Sequence, residues 1–391
     1  MQKGFNYYMP TKLHFGAGSI NSIGKIAKQY GTKAIIVTGK SSSKKIGALD
    51  KVINSLKEEN IESVVFNKIE PNPRSTTMDE GGQLARKENC DIVIGLGGGS
   101  PMDASKVIAM LAKDNNKKAW DYVGAKEAPT EALPIICITT TSGTGSEADT
   151  FAVITNPETL EKPGIGFDCM FPKESIIDPE LSTFVSPRVT ASVGIDVFFH
   201  AIEAYTSKIS SPISDMYAEK AIELVSQNLL TAYNEPDNIT ARGNMALANT
   251  LGGIAIQLAG TGLIHAMAHP ISGHYDCAHG EALTSVSIGI IRHNYSSASE
   301  KYVKMANLMG GNISVNDPDA INKITKLLLD FYKPLGLNMD VTELGLKESD
   351  IETLADDTFT TMGFCVDINA AETNKEDVIR IYNESVKPKV H

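Results

Sequence analysis

The stretch DIVIGLGGGSPMDASKVIAML, residues 91–111, decides how the first half of the chain is read. An apolar, β-branched run enters three glycines and continues at once in a helical pattern, so a strand passes directly into a helix. The spacing predicts Ser100 as the helix cap, Pro101 in the first helical position and Asp103 three residues after the cap. Gly97, Gly98 and Gly99 let the backbone approach an anion at the positive end of that helix, the arrangement that commonly holds diphosphates. The same kind of turn also serves packing alone. The stretch matches neither GxGxxG nor GxxxxGK[ST], which excludes a standard Rossmann fingerprint and a P-loop.

Working outward, AIIVTG (34–39), ESVVF (62–66) and PIICITT (134–140) repeat the strand pattern, and SINSIGKIAKQY, ALDKVINSLKEEN and TMDEGGQLARKEN between them read as helices. This alternation predicts a parallel sheet with crossover helices, which binds nucleotides at the carboxyl ends of its strands. A second glycine-rich turn, ITTTSGTGSEA (138–148), follows a strand and offers the hydroxyls of Thr139, Thr140, Thr141, Ser142 and Thr144; a capped turn is the plainer reading. Beyond about residue 187 the strand signals stop. RVTASVGIDVFFHAIEAYTS, MYAEKAIELVSQNLLTAY, RGNMALANTLGGIAIQLAG and INKITKLLLDFYKPLG all carry apolar residues at helical spacing. The expected architecture is therefore an α/β Rossmann-like parallel-sheet domain over residues 1–186 and an all-α domain over residues 187–391.

The composition of the 391 residues, 42% hydrophobic and 21% charged, is that of an ordinary globular chain with room for two domains. A net charge of −11 argues against nucleic acid or an anionic membrane as partner, because both attract basic surfaces. Five cysteines with no CxxC pair fit reduced thiols better than a disulfide framework. With no signal-like or membrane-length apolar run, the sequence reads as cytoplasmic.

Four of the eight histidines, at 265, 269, 274 and 279, fall within GLIHAMAHPISGHYDCAHG (262–280). In GIDVFFHAIEAYTS (194–207), Asp196 and His200 stand four residues apart, on one face of one helix. A carboxylate with two or three imidazoles suits Fe²⁺ or Zn²⁺, and an incomplete shell leaves room for a substrate oxygen. Spacing alone nominates His265 with His269 as the second pair. Pro270 is expected to end that helix, leaving His274 and His279 on a loop or the next element.

Together, GLGGGSPMDASK, TTSGTGSE, IIDPELSTFVSP (176–187), GIDVFFHAIEAYTS and HAMAHPISGHYDCAHG resemble the iron-containing (group III) alcohol dehydrogenases of the dehydroquinate synthase-like fold, in family order over nearly the whole chain. The resemblance implies a dinucleotide-binding domain, a helical domain and an active site in the cleft between them. It assigns the metal to Asp196, His200, His265 and His279, overruling the spacing argument, and turns His269 toward nicotinamide and substrate as a proton relay. His274 is left structural. Around the dinucleotide it places Asn72, Gly98, Gly99, Ser100, Asp103, Thr139, Thr140, Thr144, Lys162 and Leu181. A small-molecule alcohol or aldehyde as substrate and a homodimer or larger homo-oligomer follow by the same analogy.

The end of the first long strand is where an acidic residue would bond the adenosine ribose of NAD. Here it is Gly39, followed by Lys40, Ser41, Ser42, Ser43 and Lys44, a set that predicts NADP(H) over NAD(H). Departures from the family pattern gather where the substrate is expected. Val197, Phe198 and Phe199, Asp149 and Phe151, and Ile256, Gln257 and Leu258 all differ from common choices, and Phe151, Phe199 and Ile256 are the candidate pocket residues. The alternatives are a glycerol (polyol) dehydrogenase-like enzyme of the same fold and a non-catalytic metal- and nucleotide-binding protein.

Overall fold

The computed structural model describes residues 4–337 and 340–386. It divides into two compact units, residues 8–185 and a second unit that begins at Ser186 and takes in the described residues up to Tyr7. Tyr7 joins the second unit through its hydroxyl, 3.2 Å from that of Tyr217.

The first unit is built on six parallel strands. In chain order these are β1 (Lys12–Phe15), β2 (Lys33–Gly39), β3 (Glu62–Ile69), β4 (Ile92–Gly97) and β5 (Ile135–Thr139), followed by the β6 (Phe151–Val153) and β7 (Gly164–Gly166) hairpin and by β8 (Glu174–Ile177). The sheet runs β1-β8-β5-β4-β2-β3, with β6 and β7 pairing separately. Helices α1 (Ile23–Ala27), α2 (Ser42–Lys45), α3 (Ala48–Glu58), α4 (Ser75–Lys87) and α5 (Gly99–Lys113) occupy the crossovers. Alternation within the strands explains the layers. Ile35, Val37, Val93, Ile135 and Cys137 belong to one core, while Ala34, Ile36, Ile92, Ile94, Ile136 and Ile138 belong to the other. A sheet buried on both faces needs such runs of apolar residues.

Four strands carry weaker signals. β1 (KLHF) alternates charge with apolar residues at the sheet edge, β6 and β7 are three residues long, and β8 begins with Glu174.

The second unit consists of α6 (Pro187–Thr206), α7 (Pro212–Asn234), α8 (Ile239–Ala259), α9 (Leu263–Tyr275), α10 (His279–Asn294), α11 (Ser299–Leu308), α12 (Ala320–Tyr332), α13 (Ile351–Asp367) and α14 (Lys375–Val386). Ser186 caps α6 by accepting from the Val189 amide, with Pro187 next to it in the first turn. From Ile195 to Thr206 every residue of α6 is buried, which makes it the central helix of the unit. α8 and α9 meet at 108°, and among the described residues no single helix is long and apolar enough to cross a membrane.

Pro270 does not end its helix. α9 continues through it to Tyr275, where Asp276 adopts a left-handed conformation at φ 48°, so His274 is helical and only His279 lies on the next element. A proline removes one amide donor and crowds one turn, and the fully packed surroundings of the buried 263–272 segment hold the helix together across it.

Candidate active site

Parallel register collects the glycine turns at one end of the sheet. Thr38 pairs with Leu96 and Gly97 with Thr139, so β2, β4 and β5 all release their chains at one level. The turns after β4 and β5 pack on each other: a Cβ at Gly99 would lie 2.3 Å from Cγ2 of Thr144, and one at Gly98 2.9 Å from Oγ1 of Thr141. The Thr140 amide donates to the Gly97 carbonyl at 2.8 Å. Glycine is needed here for this close approach, and α5 begins at this same edge.

Ser100 is not the cap of α5. The helix begins at Gly99 with Gly98 extended before it and no side-chain cap. Asp103 is 6% exposed and turned inward, where its carboxylate accepts from Ser146 Oγ (2.7 Å) and the Val153 amide (3.0 Å). Burial pushes its pKa up, against the pull of Lys106, the Val153 amide, Ser146 and Lys162. Beside it, buried Lys106 donates to Asp149 (2.8 Å) and to the Phe151 carbonyl (2.7 Å). Burial pushes Asp149 up to about 7 in spite of that ion pair. These contacts tie the second glycine turn and β6 to α5.

The other nucleotide-side residues are placed as follows. Gly39 ends β2, Ser41 precedes α2 and Ser42 opens it, and Asn72 follows β3 with a left-handed φ of 53°. Lys162 is buried within reach of Asp103. The side chain of Leu181 belongs to the apolar core on one face of the sheet.

In the helical unit, α6, α9 and α10 bring the chemistry together. Ligand atoms of Asp196, His265 and His279 all lie within 4.8 Å of one another. Oδ1 of Asp196 stands 3.2 Å from Nε2 of His265, 3.6 Å from Nε2 of His200 and 3.9 Å from Nε2 of His279. The His200 ring stacks on that of His265 at 4.5 Å. Gly280 makes the third approach possible, since a Cβ there would lie 2.3 Å from the Ser192 carbonyl of α6. Imidazole nitrogens converging on one carboxylate oxygen, those of His200 and His265 buried and that of His279 partly exposed, form a donor set suited to a divalent borderline metal, so the residues fit iron or zinc. His269 is buried, its ring 5.1 Å from that of His279. His274 points elsewhere, its Nε2 2.7 Å from Asp357 on α13.

Sequence reasoning passed over Glu203. It is 5% exposed, and its carboxylate meets Nδ1 of His265 and the amides of Ile264 (2.6 Å) and His265 (3.3 Å). Its signal was the step of seven from Asp196 and three from His200 on a helix otherwise apolar on that face. Burial pulls the His265 pKa down, but the carboxylates of Glu203 and Asp196 outweigh it and raise the value to about 9.

Two of the candidate pocket residues are buried. Phe199 is fully buried, its ring 5.9 Å from Phe198 and 6.1 Å from Tyr332, and Ile256 is 4% exposed. Phe151, partly exposed, lies in β6.

Residues 10–179 match the iron-containing alcohol dehydrogenase family and residues 190–386 the Fe-containing alcohol dehydrogenase family, C-terminal. A 1,3-propanediol dehydrogenase of Klebsiella pneumoniae is 37% identical, covering 90% of this chain and 92% of its own length. An NAD-dependent methanol dehydrogenase of Bacillus methanolicus is 30% identical over 97% of this chain and 100% of its own. The solved structure of an archaeal halo-thermophilic alcohol dehydrogenase from a Red Sea brine pool superposes with a TM-score of 0.94 at 41% identity, covering 98% of this chain and all of the other. The chain therefore belongs to the iron-containing alcohol dehydrogenase family, with the dehydroquinate synthase-like fold.

Proposed function

We propose that the chain exchanges hydride between NADP(H) and a primary alcohol or aldehyde at a metal held by Asp196, His200, His265 and His279. The observation that carries this reading is the convergence of Asp196, His265 and His279 within 4.8 Å. When bound, iron or zinc supplies Lewis acidity toward the substrate oxygen, and a nicotinamide dinucleotide supplies the hydride exchange.

The chain's own residues supply the rest. Asp196 contributes the only negative charge of the ligand set, and the imidazoles leave room for a further oxygen. His269, buried against His279, takes or returns the alcohol proton at a ring nitrogen. Gly97, Gly98, Gly99, Ser100, Thr139, Thr140 and Thr144 surround the diphosphate in this reading, with the start of α5 aimed at its charge. Asn72, Lys162 and Leu181 belong to the same dinucleotide set, Leu181 through its backbone. Asp103 and Lys106 shape the turns from beneath.

Preference for NADP(H) rests on Gly39. A Cβ at this position would meet the Ile69 carbonyl at 3.6 Å and Ser42 Oγ at 3.7 Å, ordinary contacts, so space does not demand a glycine. Lys40, Lys44 and Lys45 stand exposed around it, and a 2′-phosphate meets cations there in place of a carboxylate. The Bacillus methanolicus relative is named for NAD, which makes the 2′-phosphate the point to test. NADPH and NADH oxidation are measured with a panel of aldehydes on anaerobically purified, metal-counted protein. A higher kcat/KM with NADPH, reversed by Gly39→Asp, is expected; a parent preference for NADH overturns the cofactor assignment. No turnover with any aldehyde at full metal loading overturns the enzymatic reading.

A further inference from the structure

Glu203 sits where two helices carrying metal ligands meet, and both of its oxygens are used. Oε1 receives the amides of Ile264 (2.6 Å) and His265 (3.3 Å), two of the first N–H groups of α9. Oε2 lies against Nδ1 of His265. Those amides have no acceptor inside their own helix, and Gly262 before them offers no side-chain cap. The cap of α9 is therefore a carboxylate from α6, seven residues along from Asp196. On the other side of the same ring, Nε2 of His265 faces Asp196 Oδ1 at 3.2 Å.

A group that accepts on both arms leaves the imidazole one arrangement. Nδ1 must carry a proton to donate to Glu203, so once the ring gives up its second proton, Nε2 is the nitrogen with the lone pair. We propose that Glu203 is a positioning residue that selects the metal-binding tautomer of His265 and, by capping α9 from α6, holds the ligands of both helices as one preformed centre. The proposal rests on the metal reading of Asp196, His200, His265 and His279. A neighbouring buried amide cluster supports the same junction: Asn369 accepts from the Leu263 amide at 3.4 Å and exchanges hydrogen bonds with Asn294 at 2.8 Å.

Glu203→Gln separates this role from bulk or packing. A glutamine keeps the size and one accepting oxygen. If that oxygen caps α9, the amide nitrogen faces Nδ1 as a donor, and His265 must accept there and carry its proton on Nε2, where it blocks the metal. Glu203→Asp keeps two acceptors and restores the tautomer at a shorter reach.

The experiment titrates the full metal-free chain with Zn²⁺ alone, by competition with a chelating dye, for the parent, Glu203→Gln and Glu203→Asp, with melting of the metal-free proteins alongside. The expected result is Zn²⁺ affinity about 10- to 100-fold weaker in Glu203→Gln, with a single cooperative melt retained, and partial recovery of the affinity in Glu203→Asp. Equal affinity in the parent and Glu203→Gln overturns the proposal while leaving the metal centre intact. A parent that binds no Zn²⁺ overturns the metal reading itself. If Glu203→Gln fails to fold, ¹⁵N spectra of histidine-labelled, Zn²⁺-loaded parent decide: a proton on Nδ1 and zinc on Nε2 of His265 support the proposal, and zinc on Nδ1 overturns it.

Discussion

The two units build their proposed sites by opposite means. In the sheet unit the proposed dinucleotide site is mostly backbone: strands of matched register end together, and glycines at 98 and 99 let two turns press on each other. In the helical unit the proposed metal site is made of side chains from three helices, converging from positions 196, 265 and 279. The first repeats a local device, a strand running into a glycine turn, at neighbouring strands of one sheet. The second exists only after the helices have packed, so its geometry depends on contacts far from it in sequence.

That difference suggests where each half breaks. In the sheet unit the weak point lies beneath the turns. Lys106→Met leaves Asp149 buried without its cation, and a loss of about 3–5 kcal/mol in unfolding free energy is expected by urea denaturation. In the helical unit the weak point is the helix approach. Gly280→Ala drives a methyl into the Ser192 carbonyl, costs about 1–3 kcal/mol and displaces His279, so metal affinity falls with stability. An unchanged metal affinity there would show that α10 does not position its ligand through Gly280.

The pH response sharpens the contrast. His265, raised to about 9 from a usual 6.5, contributes stability to the metal-free fold that is fully present below about pH 6.5 and is lost as pH rises through about 9. Metal uptake displaces that proton, so Zn²⁺ affinity should climb between pH 6 and 9 and level off above, with about one proton released per ion at pH 7 in paired-buffer calorimetry. The smallest effect belongs to His274. Its partly exposed pair with Asp357 contributes at most about 1 kcal/mol, and His274→Ala should change the melting temperature by only a few degrees.

What the sequence revealed follows the same division. β2, β4 and β5 and the helices after β2 and β4 were legible because apolar strands running into glycine turns are continuous signals. β8 was not, since its buried Glu174 breaks the apolar run, and β6 is a short strand held by Lys106 and Asp103 from another element. Long helices such as α6, α7 and α8 were read from periodicity, but α9 crosses Pro270 because packing outweighs one lost hydrogen bond. For the metal centre, spacing favoured His265 with His269, and only the family resemblance pointed to His279. Glu203 escaped both, because its role is an amide cap on a helix 61 residues away. Phe199, singled out by its departure from the family pattern, is fully buried against Phe198 and Tyr332, a packing that periodicity alone does not reveal.

In the proposed centre the histidines between 265 and 279 divide: His265 and His279 bind metal and His274 stands apart. Metal content of the anaerobically purified parent, His265→Ala and His274→Ala, measured side by side by plasma emission, tests it most directly. One metal per chain is expected in the parent and in His274→Ala and none in His265→Ala; metal retained in His265→Ala, or lost in His274→Ala, overturns this division.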